Sequence, residues 1–270
     1  MHDGNKFFFG LRDVDLRKLE GHNSFICLIS DTETPPVFVP FADFEEVFRN
    51  SQAALDGQHK VQLQRRRQEL ELYIARQGRF NIEAYLGLRV LEKSIEGLRL
   101  PLPPVLGHSD VQTLLAGIGK LKGYDVWIPA SDCGRLVWSL TPRFSPLAFA
   151  PSGYETVSHI LSEVDVVWVK PGGSAIEGLF EVEHSTSIYS GLLRFNDLLL
   201  TNPKLSHFSI VSDDSRRSLF ARQLNRPTFQ KSGLSELTSF LDYRNVFEWH
   251  TRLSKTESRP IERMRPQEAK

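Results

Sequence analysis

Hydrophobic and polar positions change rhythm several times along the chain, and each change predicts an element. Up to residue 63, short apolar runs alternate with turn residues; 25–29 (FICLI) and 37–41 (VFVPF) have strand composition and flank a turn-forming stretch. From Arg66 the spacing becomes helical, with Leu70, Ile74 and, past Gly78, Ile82, Tyr85, Leu86, Val90 and Leu91 predicting helices that close a small strand-rich unit. Pro101, Pro103 and Pro104 forbid a continuing helix and mark a boundary. Beyond it, Ser109-x-x-Gln112 fits a capping box, and Val111, Leu114, Leu115, Ile118 and Leu121 form one helical face that stops at Gly123. Strands are predicted at 124–129, 136–140, 164–169 and 179–183, a helix at 188–200, a strand at 208–211 and a helix at 215–224. This order implies an α/β class, a mixed sheet flanked by helices, with a smaller N-terminal strand-rich and helical domain. The expected divisions are 1–100, 105–230, a helical extension at 231–251, and a polar, disordered tail at 252–270.

Composition narrows the classes. A chain of 270 residues, 40% hydrophobic and 24% charged, can build a substantial core and is not disordered throughout. Lys+Arg and Asp+Glu both count 33, which excludes a histone-like binder held by bulk charge but leaves room for local basic surfaces. Cys27 and Cys133 are too few for a disulfide framework or a cysteine-rich zinc site. No apolar run approaches the roughly 20 residues of a membrane span, and Met1-His2-Asp3-Gly4 lacks the layout of a secretory signal. The expectation is a cytoplasmic protein with reduced thiols and no membrane partner.

The stretch 163–183, EVDVVWVKPGGSAIEGLFEVE, carries the chemistry. Two strand-like runs flank Pro171-Gly172-Gly173, the composition of a β-hairpin. A hairpin pivoting about Gly173 sets Asp165 opposite Glu181 and Glu163 opposite Glu183. All four carboxylates then share one face, with Val164, Val166, Trp168, Phe180 and Val182 on the other. Splayed into water, such acids cost little. Held in a cleft, each close pair costs about 4 kcal/mol at an effective dielectric near 20. Protons or a cation must then offset the repulsion, and a hard divalent ion, Mg²⁺ or Mn²⁺, suits carboxylate oxygens. Glu181 and Glu183, two apart on a strand, stand roughly 6.5–7 Å apart at Cα, close enough for their oxygens to converge on one ion or bracket two.

At these residues the chain resembles the PD-(D/E)XK nuclease superfamily, over about residues 105–225. That core is a helix, a three-stranded meander, a helix and a further strand, with a metal-binding aspartate followed, after a hairpin, by an acidic-x-Lys strand. Asp165 matches the aspartate and Glu181 the first acid, while Glu183 stands where lysine is usual, as in the superfamily's Glu-x-Glu variant. The resemblance implies a restriction-endonuclease-like core and Mg²⁺-dependent DNA hydrolysis, with catalytic Asp165, Glu181 and Glu183 and metal ligands Asp165 and Glu181. Asp110 on the first helix, with Gln112 beside it, and Arg194 on the later helix are auxiliary candidates. The implied role is a type II restriction or related defence endonuclease acting on double-stranded DNA; a palindromic site would favour a homodimer.

Other residues are weighed beside these. His184 points away from Glu183 by parity and reads as a structural histidine or a strand-end turn. Ser185-Thr186-Ser187 caps a helix or adds hydroxyls to a phosphate site. Arg194 contacts phosphate or makes an exposed salt bridge. Lys60, Arg65, Arg66 and Arg67, with Arg216 and Arg217, form either solvated faces or a DNA-phosphate surface. Phe7-Phe8-Phe9 reads as core, and Gly117 and Gly119 as close helix packing. Two rivals to a nuclease stand: a metal-free glycosidase using the same acids, and a non-catalytic DNA-binding or complex-forming subunit with a degenerate nuclease fold, a reading sharpened by the missing lysine.

Overall fold

The structure, a computed structural model, describes residues 5–31, 34–66, 68–92, 105–173 and 175–255. The described residues up to 92 belong to one unit and those from 105 to a second. Arg67, the prolines at 101, 103 and 104, and the stretch 256–270 lie outside the described residues.

The N-terminal unit runs β1 (Lys6–Arg12), α1 (Asp13–Leu19), β2 (Phe25–Leu28), β3 (Val37–Pro40), α2 (Phe41–Arg49), β4 (Gln58–Arg66), β5 (Glu69–Ile74) and β6 (Gly78–Asn81). β1, β4, β5 and β6 form an antiparallel sheet in that order, and β2 pairs with β3 in a separate ribbon. Period-two alternation turns Val61, Leu63, Leu70, Leu72, Ile74 and Phe80 to one face, where they pack with Val37, Val39 and Phe44. His59, buried on this side, joins Ser51 through Nδ1 and Asp13 through Nε2 at 3.2 Å, tying β4 to the end of α2 and the start of α1.

The helix expected from Arg66 is not formed; β5 and β6 take its place. Leu70 and Ile74 lie four apart and satisfy both periods, but Leu72 between them is buried on the same face, which only a strand allows. Gln68 and Arg76 adopt positive φ, 70° and 64°, and turn the chain into successive hairpins. Of the three phenylalanines, Phe7 and Phe9 pack on the core while Phe8 faces out, 76% exposed.

The second unit contains α3 (His108–Leu121), β7 (Asp125–Trp127), α4 (Ala130–Cys133), α5 (Ser158–Leu161), β8 (Val166–Val169), β9 (Ile176–Val182), α6 (Ile188–Thr201), β10 (Phe208–Ser212), α7 (Arg217–Leu224), α8 (Pro227–Lys231), α9 (Leu234–Leu237), β11 (Thr238–Asp242) and α10 (Tyr243–Lys255). Its sheet has the order β11-β10-β9-β8-β7, with β7, β8 and β9 antiparallel and β9, β10 and β11 parallel. One face, through Val167, Val169, Leu179, Phe208 and Ile210, packs on α6 and its neighbours. The other, through Val166, Trp168, Phe180, Val182 and Val211, packs on α3 and α10. This is the mixed α/β sheet with helices on both faces that the element order implied.

α3 starts two residues earlier than its capping signal: Gly107 is the N-cap, and Asp110 Oδ2 accepts its N–H at 2.8 Å, so Ser109-x-x-Gln112 does not form the box. The strand expected at 136–140 is absent; that segment is a loop pinned by Val137 N–H donating to Thr113 Oγ1 at 2.9 Å. The helical extension expected at 231–251 contains β11, a parallel edge strand, and α10 continues through residues 252–255, where a disordered tail was expected. Gly117 and Gly119 do serve close packing: a Cβ would meet Thr141 Oγ1 at 2.4 Å and Trp168 Nε1 at 2.5 Å. Among the described residues no helix is long and apolar enough to cross a membrane.

Candidate functional site

The hairpin β8–β9 has the register that a pivot at Gly173 predicts. Val166 pairs with Phe180, Val167 with Leu179 and Trp168 with Gly178, before a bulge at Trp168/Val169 shifts the last pair. The ladder stops one residue short of Asp165. Instead of standing opposite Glu181, the Asp165 side chain bends back, and its Oδ2 accepts the Val182 N–H at 2.7 Å. Glu181, on the α6 side of β9, is 1% exposed, and Glu183, just past the strand end, 2%. Glu163 remains largely exposed. The expected four-acid face is therefore a buried core of Glu181 and Glu183, a partly buried Asp165 and an outlying Glu163.

Arg194 on α6 gathers these acids. Its Nε and Nη2 donate to the two oxygens of Glu181, each at 2.7 Å, and its guanidinium lies 3.6 Å from Glu183 Oε1 and 3.7 Å from Glu163 Oε2. The bidentate geometry is the strong form of this pair. Of the two readings left open for Arg194, the structure shows an ion pair, and a part-buried one. The helix approaches this closely because residue 191 is glycine: a Cβ there would stand 2.7 Å from Glu183 Oε1 and 3.1 Å from Ile210 Cδ1.

Desolvation dominates the electrostatics. Burial pushes Glu181 up to about 8, opposed by its hydrogen bonds to Arg194 and reinforced by the charge of Asp165. Burial also raises Glu183, against the hydrogen bond donated by Thr186 Oγ1 to its Oε2. Thr186 thus serves Glu183 rather than capping α6, whose N-cap Ser187 makes no side-chain capping bond.

His108, at the start of α3, is a partner that sequence reasoning missed; nothing in the chain separates it from an ordinary helix-start residue. Its Nε2 lies 3.3 Å from Asp165 Oδ1, and that hydrogen bond raises its pKa. Gln112, fully buried on the same helix, donates Nε2–H to Asp165 O at 2.9 Å and to Asp132 Oδ2 at 3.3 Å. Asp110 turns to its own helix start.

The remaining candidates are placed elsewhere. Arg216 donates to Glu183 O, His184 O and Thr186 O, and so staples the loop between β9 and α6. Arg217 pairs with Asp214 at 2.7 Å and Asp242 at 3.2 Å, and lies 4.7 Å over the Phe240 ring. His184 stacks on Tyr243 and meets its hydroxyl at 3.0 Å, the structural role. In the N-terminal unit, Lys60 reaches Asp56, Arg65 pairs with Glu83 at 3.4 Å, and Arg66 is exposed at the end of β4.

Among the described residues, no group of three or more His, Cys, Asp or Glu side chains is placed to hold a metal ion. The donor chemistry nevertheless fits a hard divalent cation: Asp165 and Glu183 offer carboxylate oxygens, and Glu183 Oε1 is buried without a hydrogen-bond partner. Both Glu181 oxygens are taken by Arg194, so Glu181 can ligate an ion only when that guanidinium moves.

A family model described as the type II restriction enzyme NmeDI C-terminal domain matches residues 93–263. The type II restriction enzyme NmeDI of Neisseria meningitidis serogroup C is 26% identical over 132 residues, covering 46% of this chain and 37% of that enzyme, so the matched part is well under half of the relative's length. No solved structure matches the chain.

Proposed function

The chain belongs to the family of the type II restriction enzyme NmeDI C-terminal domain, and from that membership we propose that it is a metal-dependent endodeoxyribonuclease of the PD-(D/E)XK superfamily, a restriction enzyme cutting double-stranded DNA. The single observation that carries this reading is the buried acidic centre at the end of β8 and β9, with Glu183 Oε1 lacking a hydrogen-bond partner. A structural salt bridge needs one carboxylate for one guanidinium; here Arg194 faces two buried ones, Glu181 and Glu183, besides the largely exposed Glu163. Surplus buried negative charge is the mark of a site built to receive a cation.

Asp165 and Glu181 are the proposed ligands of Mg²⁺, which Mn²⁺ could replace; a bound ion would polarise the scissile phosphate and lower the pKa of a water. Asp165 is held ready by Val182 N–H and His108. Glu183, whose proton affinity burial raises, is the proposed acceptor of the attacking water's proton. Arg194, released from Glu181, is placed to neutralise a phosphate oxygen, the role a lysine in place of Glu183 would have filled. Gln112 fixes the backbone beneath Asp165.

The test is supercoiled plasmid incubated with the protein and Mg²⁺, with chelator controls. Cleavage abolished by Asp165→Ala and by Glu181→Ala supports the assignment. Metal-dependent nicking that both substitutions leave intact overturns it, and DNA binding without cutting favours a non-catalytic subunit.

A further inference from the structure

The open face of the N-terminal sheet is unlike its buried face, and the strand registers define it rung by rung. Phe8 of β1 stands beside Gln62 of β4, then Tyr73 of β5, then Arg79 of β6: one line of side chains crosses all four strands. Phe8 is exposed, and Gln62, Tyr73 and Arg79 are half-buried. Arg79 lies 5.2 Å over the Tyr73 ring and pairs with Glu71 at 3.1 Å. Lys60 and Arg66, two and four residues from Gln62 on β4, share this face by parity and are exposed. Arg65 has the opposite parity and is engaged with Glu83. The face therefore combines exposed cations, the acids Glu69 and Glu71, a primary amide and an exposed aromatic ring, whereas the reverse side carries the unit's apolar core together with His59 and Arg65.

Phe8 is not part of the core cluster among the described residues, whereas Phe7 and Phe9, partly buried, pack against it on the other side. The combination matches a nucleic-acid duplex. Lysine and arginine pair with phosphates, glutamine makes two hydrogen bonds to adenine in the major groove, and an apolar ring covers a thymine methyl. Strands as well as helices read that groove, and β1 and β4 are the outer pair at one edge of the four-stranded sheet, paired over Lys6–Arg12. We infer that the β1–β4 edge of this face is the DNA-reading surface of the chain, with Gln62 and Phe8 touching base edges and Lys60 and Arg66 the flanking phosphates. This inference rests on the restriction-nuclease reading for its partner, but its location is independent of the acidic centre.

The experiment uses the full chain without divalent cation, so that nothing is cut, and a randomised pool of 30-base-pair duplexes from which bound sequences are selected. Wild type should enrich a defined sequence. Gln62→Ala and Phe8→Ala should weaken binding to that sequence about tenfold or more and leave binding to unselected duplex nearly unchanged. Lys60→Gln/Arg66→Gln should weaken binding to every duplex and reduce the slope of log affinity against log salt by about 2. Because these side chains are exposed or half-buried, unchanged melting curves confirm that the variants are folded. If wild type selects a sequence and all variants retain affinity, specificity and salt slope, the surface assignment is overturned while the nuclease reading stands. If wild type binds no duplex, or prefers single-stranded RNA, the DNA-cutting reading falls as well.

Discussion

In the N-terminal sheet every strand buries one side and opens the other, so polar residues appear at every second position and most of them meet water. In the second sheet, β8, β9 and β10 are covered on both faces, and a polar residue there has no solvent to turn to. The same residue types therefore carry different weight. Glu69 on the N-terminal sheet is an ordinary exposed acid, whereas Glu181, buried near the end of β9 beside Phe180 and Val182, is raised by desolvation and met by Arg194 through two hydrogen bonds. Chemistry that needs perturbed acids belongs to the closed sheet, and broad recognition to the open one.

Substitutions can break this comparison. All four tryptophans lie in the second unit, so tryptophan fluorescence during denaturation reports that unit alone. The largest expected effect is Trp168→Ala, which empties the centre of the closed sheet and removes the bond from Nε1–H to Leu115 O; a loss of about 3–5 kcal/mol is expected. Next is Arg194→Met, which strands Glu181 and should cost about 3 kcal/mol at alkaline pH. The pH sign is fixed by the raised carboxylate. Since Glu181 titrates near 8 in the folded chain and near 4.5 when unfolded, its favourable contribution is complete below 4.5 and lost as pH rises through 8. Metal-free wild type should thus lose stability across that window, Glu181→Gln should flatten the slope, and Arg194→Met, which removes the cation that holds Glu181 down, should extend the loss to higher pH. A flat wild-type profile would contradict the burial assigned to Glu181. Gly191→Ala, which drives a methyl against Glu183, should cost about 1–3 kcal/mol and slow cleavage. The smallest effect belongs to the open sheet: Phe8→Ala should stay within about 0.5 kcal/mol of wild type by circular dichroism.

Much of the closed sheet was legible in the sequence, because its apolar runs, the Pro-Gly-Gly turn and the helix at residues 188–200 are local signals. The hairpin register followed from the turn alone. What local pattern did not carry was tertiary. β11 is five residues whose only strong strand argument is the parallel partner β10. β5 hid behind a four-residue spacing that suits both periods. At the site, the parity of Glu181 and Glu183 was readable, but the partners were not. Arg194 lies 13 residues from Glu181 and His108 lies 57 from Asp165, and neither stands in a spacing that announces an ion pair. Arg216, read as a DNA-phosphate candidate, proved to hold backbone carbonyls that no sequence pattern reveals as needing a donor.

The most direct measurement is the Mg²⁺-dependent cleavage rate of supercoiled plasmid by Glu183→Gln, which keeps the shape of the side chain and removes its basicity, alongside DNA affinity measured without divalent cation. A rate reduced at least about 100-fold with affinity unchanged is expected if the buried acids do the chemistry. A wild-type rate would contradict that account and return Glu183 to a purely structural role.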